Sequence, residues 1–223
     1  GTNFTGSLLV GHSTTGALDA ALGNTGVGIG ALDALTSGDY STVVGYNAGT
    51  AITSGGYHTF IGGLAGESMV GGFSNVAVGY ASSQKATANN NTSIGVSSNN
   101  FPTGANNTAI GNAALKGVSG QSAANSSALG YQAGLAVTSG AYNTFLGTQA
   151  GKNVTSGDGN VIIGTVDADS ATADKQLKIA GFDGSTTTTW ISGDSAGLLT
   201  ITGGEVIPGK VEGTNFTGGL LVG

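Results

Sequence analysis

The sequence predicts an all-β protein: a parallel β-solenoid of about ten 17-residue coils, then a short β-hairpin connector. Three observations carry this. The segments "NTGVGIGALDALTSGDY" (24–40) and "STVVGYNAGTAITSGGY" (41–57) repeat one pattern at one period, and a fixed period is the mark of a stacked architecture. Of the 223 residues 43 are glycine and only 8% are charged, with Thr, Val, Ser and Asn abundant, a mixture that disfavours helix and favours strands and turns. Hydrophobic residues make up 39% and recur at regular intervals, which argues against disorder.

The period is read from the glycine after each strand-like triplet: Gly11, Gly28, Gly45, Gly62, Gly79, Gly95, Gly111, Gly130, Gly147 and Gly164. Their steps are 17, 17, 17, 17, 16, 16, 19, 17 and 17 residues. Directly before these anchors stand Val10, Val27, Val44, Ile61, Val78, Ile94, Ile110, Leu129, Leu146 and Ile163, all branched aliphatics. This column is expected to be the core. Two residues before it, on the same strand face, lies a hydroxyl-rich column that includes Thr25, Thr42, Thr59, Thr92, Thr108, Ser127 and Thr144. Between the two columns the opposite face reads Val43, Phe60, Ala77, Ala109, Ala128, Phe145 and Ile162, without charge. A strand apolar on both sides is covered on both sides, so this middle column is the expected interchain face.

Further along each coil comes a second apolar station, Leu35, Ile52, Met69, Val118, Val137 and Val154, often followed by "TSG". Small corners such as "NAG" (47–49) and "QAG" (149–151) separate the stations, with glycine suited to a left-handed backbone. One coil cannot bury its apolar edge until a neighbour stacks on it. At about 4.8 Å per coil, ten coils make a rod on the order of 50 Å long. The position before the Thr column holds Asn24, Ser41, His58, Asn75, Asn91, Asn107, Ser126, Asn143 and Asn160, a candidate ladder of stacked amides. The tyrosines fall into two columns, Tyr40, Tyr57 and Tyr142, and Tyr46, Tyr80 and Tyr131, read as cover for the corners. The stretch 80–106 loses the "AG" corner and contains Pro102, so a loop or bulge is expected there.

After Gly164 the pattern breaks and charge rises, which places the solenoid block at 1–164 and a connector at 165–212. "KQLKIAGFDGSTTTTWIS" reads as two strands about a turn near Asp183–Gly184, and Leu198–Thr202 as another strand. The opening "GTNFTGSLLVG" returns at 213–223 as "GTNFTGGLLVG", an offset of 212 residues that marks the start of a next solenoid block.

A net charge of −6, no arginine and no basic cluster argue against nucleic acid as a partner. No apolar run of about 18 residues occurs, so no membrane insertion is expected. Without cysteine there is no disulfide framework or thiolate site.

"NTAIGNAAL" (107–115), "SSALGYQAG" (126–134) and "NTFLGTQAG" (143–151) resemble the head repeats of trimeric autotransporter adhesins of the YadA type, and more closely the 17-residue repeats of bacteriophage tail-fibre proteins. The resemblance covers about residues 7–164, and "ADKQLKIAGFDGSTTTTWISGDSAG" is similar to the connector that follows such repeats in phage fibres. It implies a left-handed parallel β-roll wound as a homotrimer, located in the virion or at a cell surface, with tandem blocks end to end and a host-surface glycan or protein receptor as partner.

No catalytic, cofactor or metal site is expected. His12 and His58 lie in different columns and are read as solvent-facing turn residues. "GTQAGK" (147–152) has one residue too few for a phosphate loop, and Asn153 stands where Ser or Thr is required. Asp167, Asp169 and Asp174 lack the glycine and terminal Glu of a calcium loop and read as a solvated linker. The leading expectation is a non-enzymatic structural protein, the shaft of a phage tail fibre involved in host attachment. A bacterial surface adhesin or extracellular filament is the alternative. An ice-binding solenoid, from the Thr column, and a polysaccharide-degrading tailspike rank below.

Overall fold

A computed structural model describes residues 6–11, 20–85, 87–100, 103–118 and 122–202. Among these, every regular element is a β-strand and all strands join one sheet. The first ten are three residues long: β1 (Leu8–Val10), β2 (Thr25–Val27), β3 (Thr42–Val44), β4 (Thr59–Ile61), β5 (Val76–Val78), β6 (Thr92–Ile94), β7 (Thr108–Ile110), β8 (Ser127–Leu129), β9 (Thr144–Leu146) and β10 (Val161–Ile163). Each pairs in parallel with the next, and homologous columns meet: Thr25 faces Thr42, Val43 faces Phe60 and Val44 faces Ile61. The short and long steps do not disturb the register. Val76 still meets Thr92, and Thr108 meets Ser127, so the length changes are absorbed between strands. The chain is an all-β solenoid.

The corners explain the anchor glycines. Gly45 has φ +142°, and a Cβ on it would stand 2.6 Å from the Gly62 carbonyl carbon of the next coil. Only a residue without Cβ lets coils close to strand spacing at that corner. Away from the sheet, coils bond to one another through irregular backbone. The "TSG" threonines help: Thr36 donates its amide (3.1 Å) and its hydroxyl (2.7 Å) to the Thr53 carbonyl one coil on.

The solenoid runs one rung further than the expected boundary at Gly164. β11 (Leu177–Phe182) pairs in parallel with β10, Val161 to Leu177 and Ile163 to Ile179. The repeat is disguised there because Lys178 takes the inward place matched to Ile162, and its ammonium pairs with Asp169. Along its whole length β11 also forms an antiparallel hairpin with β12 (Thr187–Gly193), with a register shift at Ile179/Ala180, and β13 (Leu199–Ile201) adds to β12. Asp183 caps the hairpin turn by accepting from the amides of Ser185 (2.8 Å) and Thr186 (2.7 Å). These bonds hold its carboxyl below the ordinary range. The return at 213–223, His12 and Pro102 lie outside the described residues.

The core consists of two apolar clusters. One runs from Ala21 to Ala77 and includes Leu35, Val43, Ile52, Phe60 and Met69; the other runs from Ala109 to Ala168 and includes Leu115, Val137, Phe145, Val154 and Ile162. Between them the interior is polar: Ser82, Ser83, Ser93, Ser98, Asn99 and Asn100 are all buried. The bulge expected at 80–106 is therefore, within the described residues, a pair of ordinary coils with a hydrophilic filling.

Candidate functional site on the outer face of the sheet

The structure reverses the expected inside and outside of the strands. Val43, Phe60, Ala77, Ala109, Ala128, Phe145 and Ile162, expected to form the interchain face, fill the interior with at most 1% exposure. The aliphatic column expected to be core points outward: Val10, Ile61, Ile94, Leu129 and Leu146 are 39–49% exposed. Val27, Val44, Val78, Ile110 and Ile163 are half-buried on the same face. Val118 also leaves the second apolar station, at 56% exposure. The physical reason is that both strand faces are apolar, so alternation alone cannot say which faces inward.

A different signal distinguishes them: side-chain size. In five coils the inner residue trades volume with the corner six residues later, pairing Gly26 with Leu32, Val43 with Gly49, Phe60 with Gly66, Ala109 with Leu115 and Phe145 with Gly151; at Ala128 and Gly134, both small, Phe145 and Leu115 of the neighbouring coils fill the space. The geometry agrees. A Cβ on Gly66 would meet the Phe60 ring at 2.8 Å, and one on Gly26 would come within 3.3 Å of Leu32 Cδ1. A close-packed interior of fixed width requires such compensation. The outer column varies only among Val, Ile and Leu, with nothing to compensate.

The outer face thus carries two parallel columns. Thr42, Thr108, Ser127 and Thr144 are exposed and Thr25, Thr59 and Thr92 half-buried in one; the aliphatics form the other. No charged residue occupies either column. Exposed Ile29, Tyr46, Tyr80, Val96 and Tyr131, each one residue past an anchor, border the aliphatic side. Tyr40, Tyr57 and Tyr142 lie on the other side, all exposed and all with positive φ; the rings of Tyr40 and Tyr57 stack at 5.4 Å. Their left-handed backbone is held by coil-to-coil bonds, Tyr57 donating its amide to the Asp39 carbonyl at 3.0 Å.

Beneath the Thr column lies the polar column, buried throughout. It is a ladder, though the bonds run from backbone to side chain rather than between stacked amides. Ser41 donates its amide to Asn24 Oδ1 (2.9 Å), Asn91 to Asn75 Oδ1 (2.9 Å), Asn107 to Asn91 Oδ1 (2.9 Å) and Asn160 to Asn143 Oδ1 (2.8 Å). Side-chain amide bonds between coils occur at the end of this column, where Gln176 Nε2 donates to Asn160 Oδ1 (3.2 Å), and on the surface, where Asn90 donates to Asn106 and Asn106 to Asn125.

His58 belongs to the buried column and is not the solvent-facing turn residue expected. It is 1% exposed and its ring stacks on Phe60 at 5.0 Å. Its Nε2 meets no hydrogen-bond partner. Burial pushes its pKa down to about 4, the Gly72 backbone offsetting only part of the effect.

Two of the three acids after Gly164 hold neighbouring chain, while Asp167 Oδ1 is buried without a hydrogen-bond partner. Asp174 accepts from the Asp158 amide (2.8 Å), and Asp169 pairs with Lys178. Among the described residues no three His, Cys, Asp or Glu side chains converge, and no helix is long and apolar enough to cross a membrane. An open cavity of about 460 Å³ at the solenoid–hairpin junction is lined by Lys152, Thr165, Asp167, Lys178 and Phe182 among others. The feature that stands out is the long uncharged outer face. No protein-family model matches the chain, and neither does any curated protein or solved structure.

Proposed function

We propose that this chain is a structural rod, the shaft of a bacteriophage tail fibre that spans distance between a particle and its host. The observation that carries the reading is the in-register ladder of β1–β10, stitched coil to coil by strand, corner and side-chain hydrogen bonds. Such a stack is stiff, and its reach grows by about 4.8 Å for every coil added. The resemblance of its repeats to tail-fibre repeats supports a virion location; the same architecture on a bacterial surface, as an adhesin or extracellular filament, is the alternative. Small-angle scattering of the purified chain tests the rod. Deleting residues 41–74, two coils, is expected to shorten it by about 10 Å without changing its cross-section. An unchanged length would refute a stacked rod. Antibody raised against the chain is expected to label slender fibres on tailed particles, and labelling of cell surfaces alone would favour the adhesin.

A second reading gains from one observation. The Thr column faces outward on a regular lattice beside methyl-bearing side chains, the chemistry of an ice-binding surface. Thermal hysteresis of the purified chain tests it.

A further inference from the structure

The cavity between solenoid and hairpin is walled by pinned parts. On the solenoid side stand Gln149 and Lys152, from the corner after β9, and the strip from Thr165 to Ala168. Opposite them are Lys178 and Phe182 of β11 and Thr187 of β12. The strip is bonded on either side of Asp167: Gly151 donates its amide to the Val166 carbonyl (2.8 Å), and Asn153 donates to the Ala168 carbonyl (2.8 Å) while accepting the Ala168 amide (3.0 Å). The Thr187 hydroxyl ties the hairpin wall to it, donating to the Thr165 carbonyl at 3.3 Å. A volume of about 460 Å³ suits a small molecule.

Two opposite charges on these walls lack a matching protein group. Asp167 Oδ1 is buried and meets no hydrogen-bond partner. A polar atom in that state is costly, and a bound donor removes the cost. The carboxylate turns about a broad torsion, which lets it offer that oxygen to the cavity. Lys152 Nζ reaches Gln149 Oε1 at 3.5 Å, the outer limit of a hydrogen bond, and no carboxylate pairs with it among the described residues. Lys178, by contrast, is already neutralised by Asp169. Val166, Ala168 and the Phe182 ring supply the apolar part of the lining.

We infer that this junction binds a small organic acid that carries a hydroxyl or ammonium donor beside its carboxylate. The carboxylate meets Lys152, the donor meets Asp167, and the carbon skeleton lies against Phe182. The arrangement of charge selects this chemistry. A simple anion is repelled by Asp167, a simple cation by Lys152, and a neutral polyol leaves Lys152 without a counter-charge. A molecule with both groups satisfies both walls. Sugar acids and α-amino acids share this pattern. The site lies beyond the rod reading and does not depend on what the rod connects.

The test titrates the isotope-labelled full chain with D-glucuronate and with L-alanine, and with acetate and glucose, which each carry half of the chemistry. Glucuronate or alanine is expected to shift the backbone amides of 149–152, 165–168 and 178–182, and whichever binds tighter names the source. Acetate and glucose are expected to bind about tenfold more weakly or worse. Lys152→Met and Asp167→Asn are each expected to weaken binding on the order of tenfold, the loss of one charge-assisted hydrogen bond. Lys116→Met is the control and is expected to leave binding unchanged, since Lys116 follows Gly111 by the same five residues as Lys152 follows Gly147 but lies outside the cavity. No shifts with either acid, or shifts centred on other amides, would overturn the proposal. So would acetate binding as tightly as both acids, or binding indifferent to both cavity variants. Should a variant fail to fold, the shift map and ligand order of the unaltered chain still decide. Scattering length reports on the rod separately, so an empty junction on an extended particle refutes the site alone.

Discussion

The Asn75 amide reaches His58 Nδ1 at 3.4 Å, while the equivalent bond from Asn91 to Asn75 Oδ1 spans 2.9 Å. His58 therefore fills an Asn position with a poorer acceptor and adds an Nε2 that finds no partner in the interior. Leaving a buried polar atom unsatisfied costs about 1–3 kcal/mol. His58→Asn is expected to stabilise the rod by about 1 kcal/mol at pH 8, less than the polar gain alone because the ring loses its stacking on Phe60. Urea unfolding of both proteins checks it, and a destabilised variant would show that the stacking dominates.

The same residue sets an acid limit. Its folded pKa, about 4, lies below the ordinary 6.5, so between those values the unfolded chain binds a proton that the folded chain refuses. Stability is full above pH 6.5 and falls as pH drops towards 4, by about 3 kcal/mol in all. His58→Asn is expected to flatten this slope between pH 6.5 and 4. Parallel slopes for both proteins would remove His58 as the cause.

Phe145 and Leu146 separate inside from outside. Phe145→Ala is expected to cost about 4 kcal/mol through the cavity it leaves. Leu146→Ala, 43% exposed, is expected to cost about 1 kcal/mol or less. The reverse order in urea unfolding would put the aliphatic column back in the core.

The period, the strand positions and the corner glycines were legible in the sequence because each coil restates them, and Thr25 to Val27 recurs as β3 and β4 in register. The direction of the side chains was not. Repetition fixes which residues share a column without saying which side of the sheet that column faces, and Val44 looks more like core than Ala77 does. The size exchange between Phe60 and Gly66, or Gly26 and Leu32, carried the answer within single coils. His58 is buried with the Asn column it belongs to, because position in the coil rather than residue type decides burial. The rung at Leu177–Ile179 was hidden by Lys178, whose charge escapes to Asp169. For the outer face the sequence supplied the absence of charge, and only the coordinates assigned that property to a surface.

Gly45 tests the corner. At φ +142° a β-branched residue is strained, and its Cβ would stand 2.6 Å from the Gly62 carbonyl carbon and 3.0 Å from the Gly63 amide nitrogen. Gly45→Val is expected to cost at least about 3 kcal/mol, strain and displaced backbone together. Tyr46→Val, exposed next door, is expected to change the single chain's stability by no more than about 0.5 kcal/mol. Equal melting of the two variants would count against a closed glycine corner.

The polar filling between the two apolar clusters bears on how identical coils find their places. An apolar interior of near-identical repeats would tolerate a slip of one whole coil, since each aliphatic would still meet an aliphatic. The hydroxyls break that degeneracy. Ser83 donates to Ser93 Oγ at 2.7 Å, Ser82 donates to the Ser93 carbonyl at 2.9 Å, and Ser82 Oγ lies 3.0 Å from Ser98 Oγ. Slipped by one coil, Ser83 Oγ would face Ala77 or Ala109 in place of the Ser93 hydroxyl and lose its partner, at about 1–3 kcal/mol. Removing one member of a buried pair costs more than removing both, so Ser83→Ala and Ser93→Ala are each expected to destabilise by about 1–2 kcal/mol and the double variant by less than their sum. A double-mutant cycle in urea measures the coupling. Simple additivity would mean that the two hydroxyls do not hold each other, and that the register is set by the apolar blocks on either side.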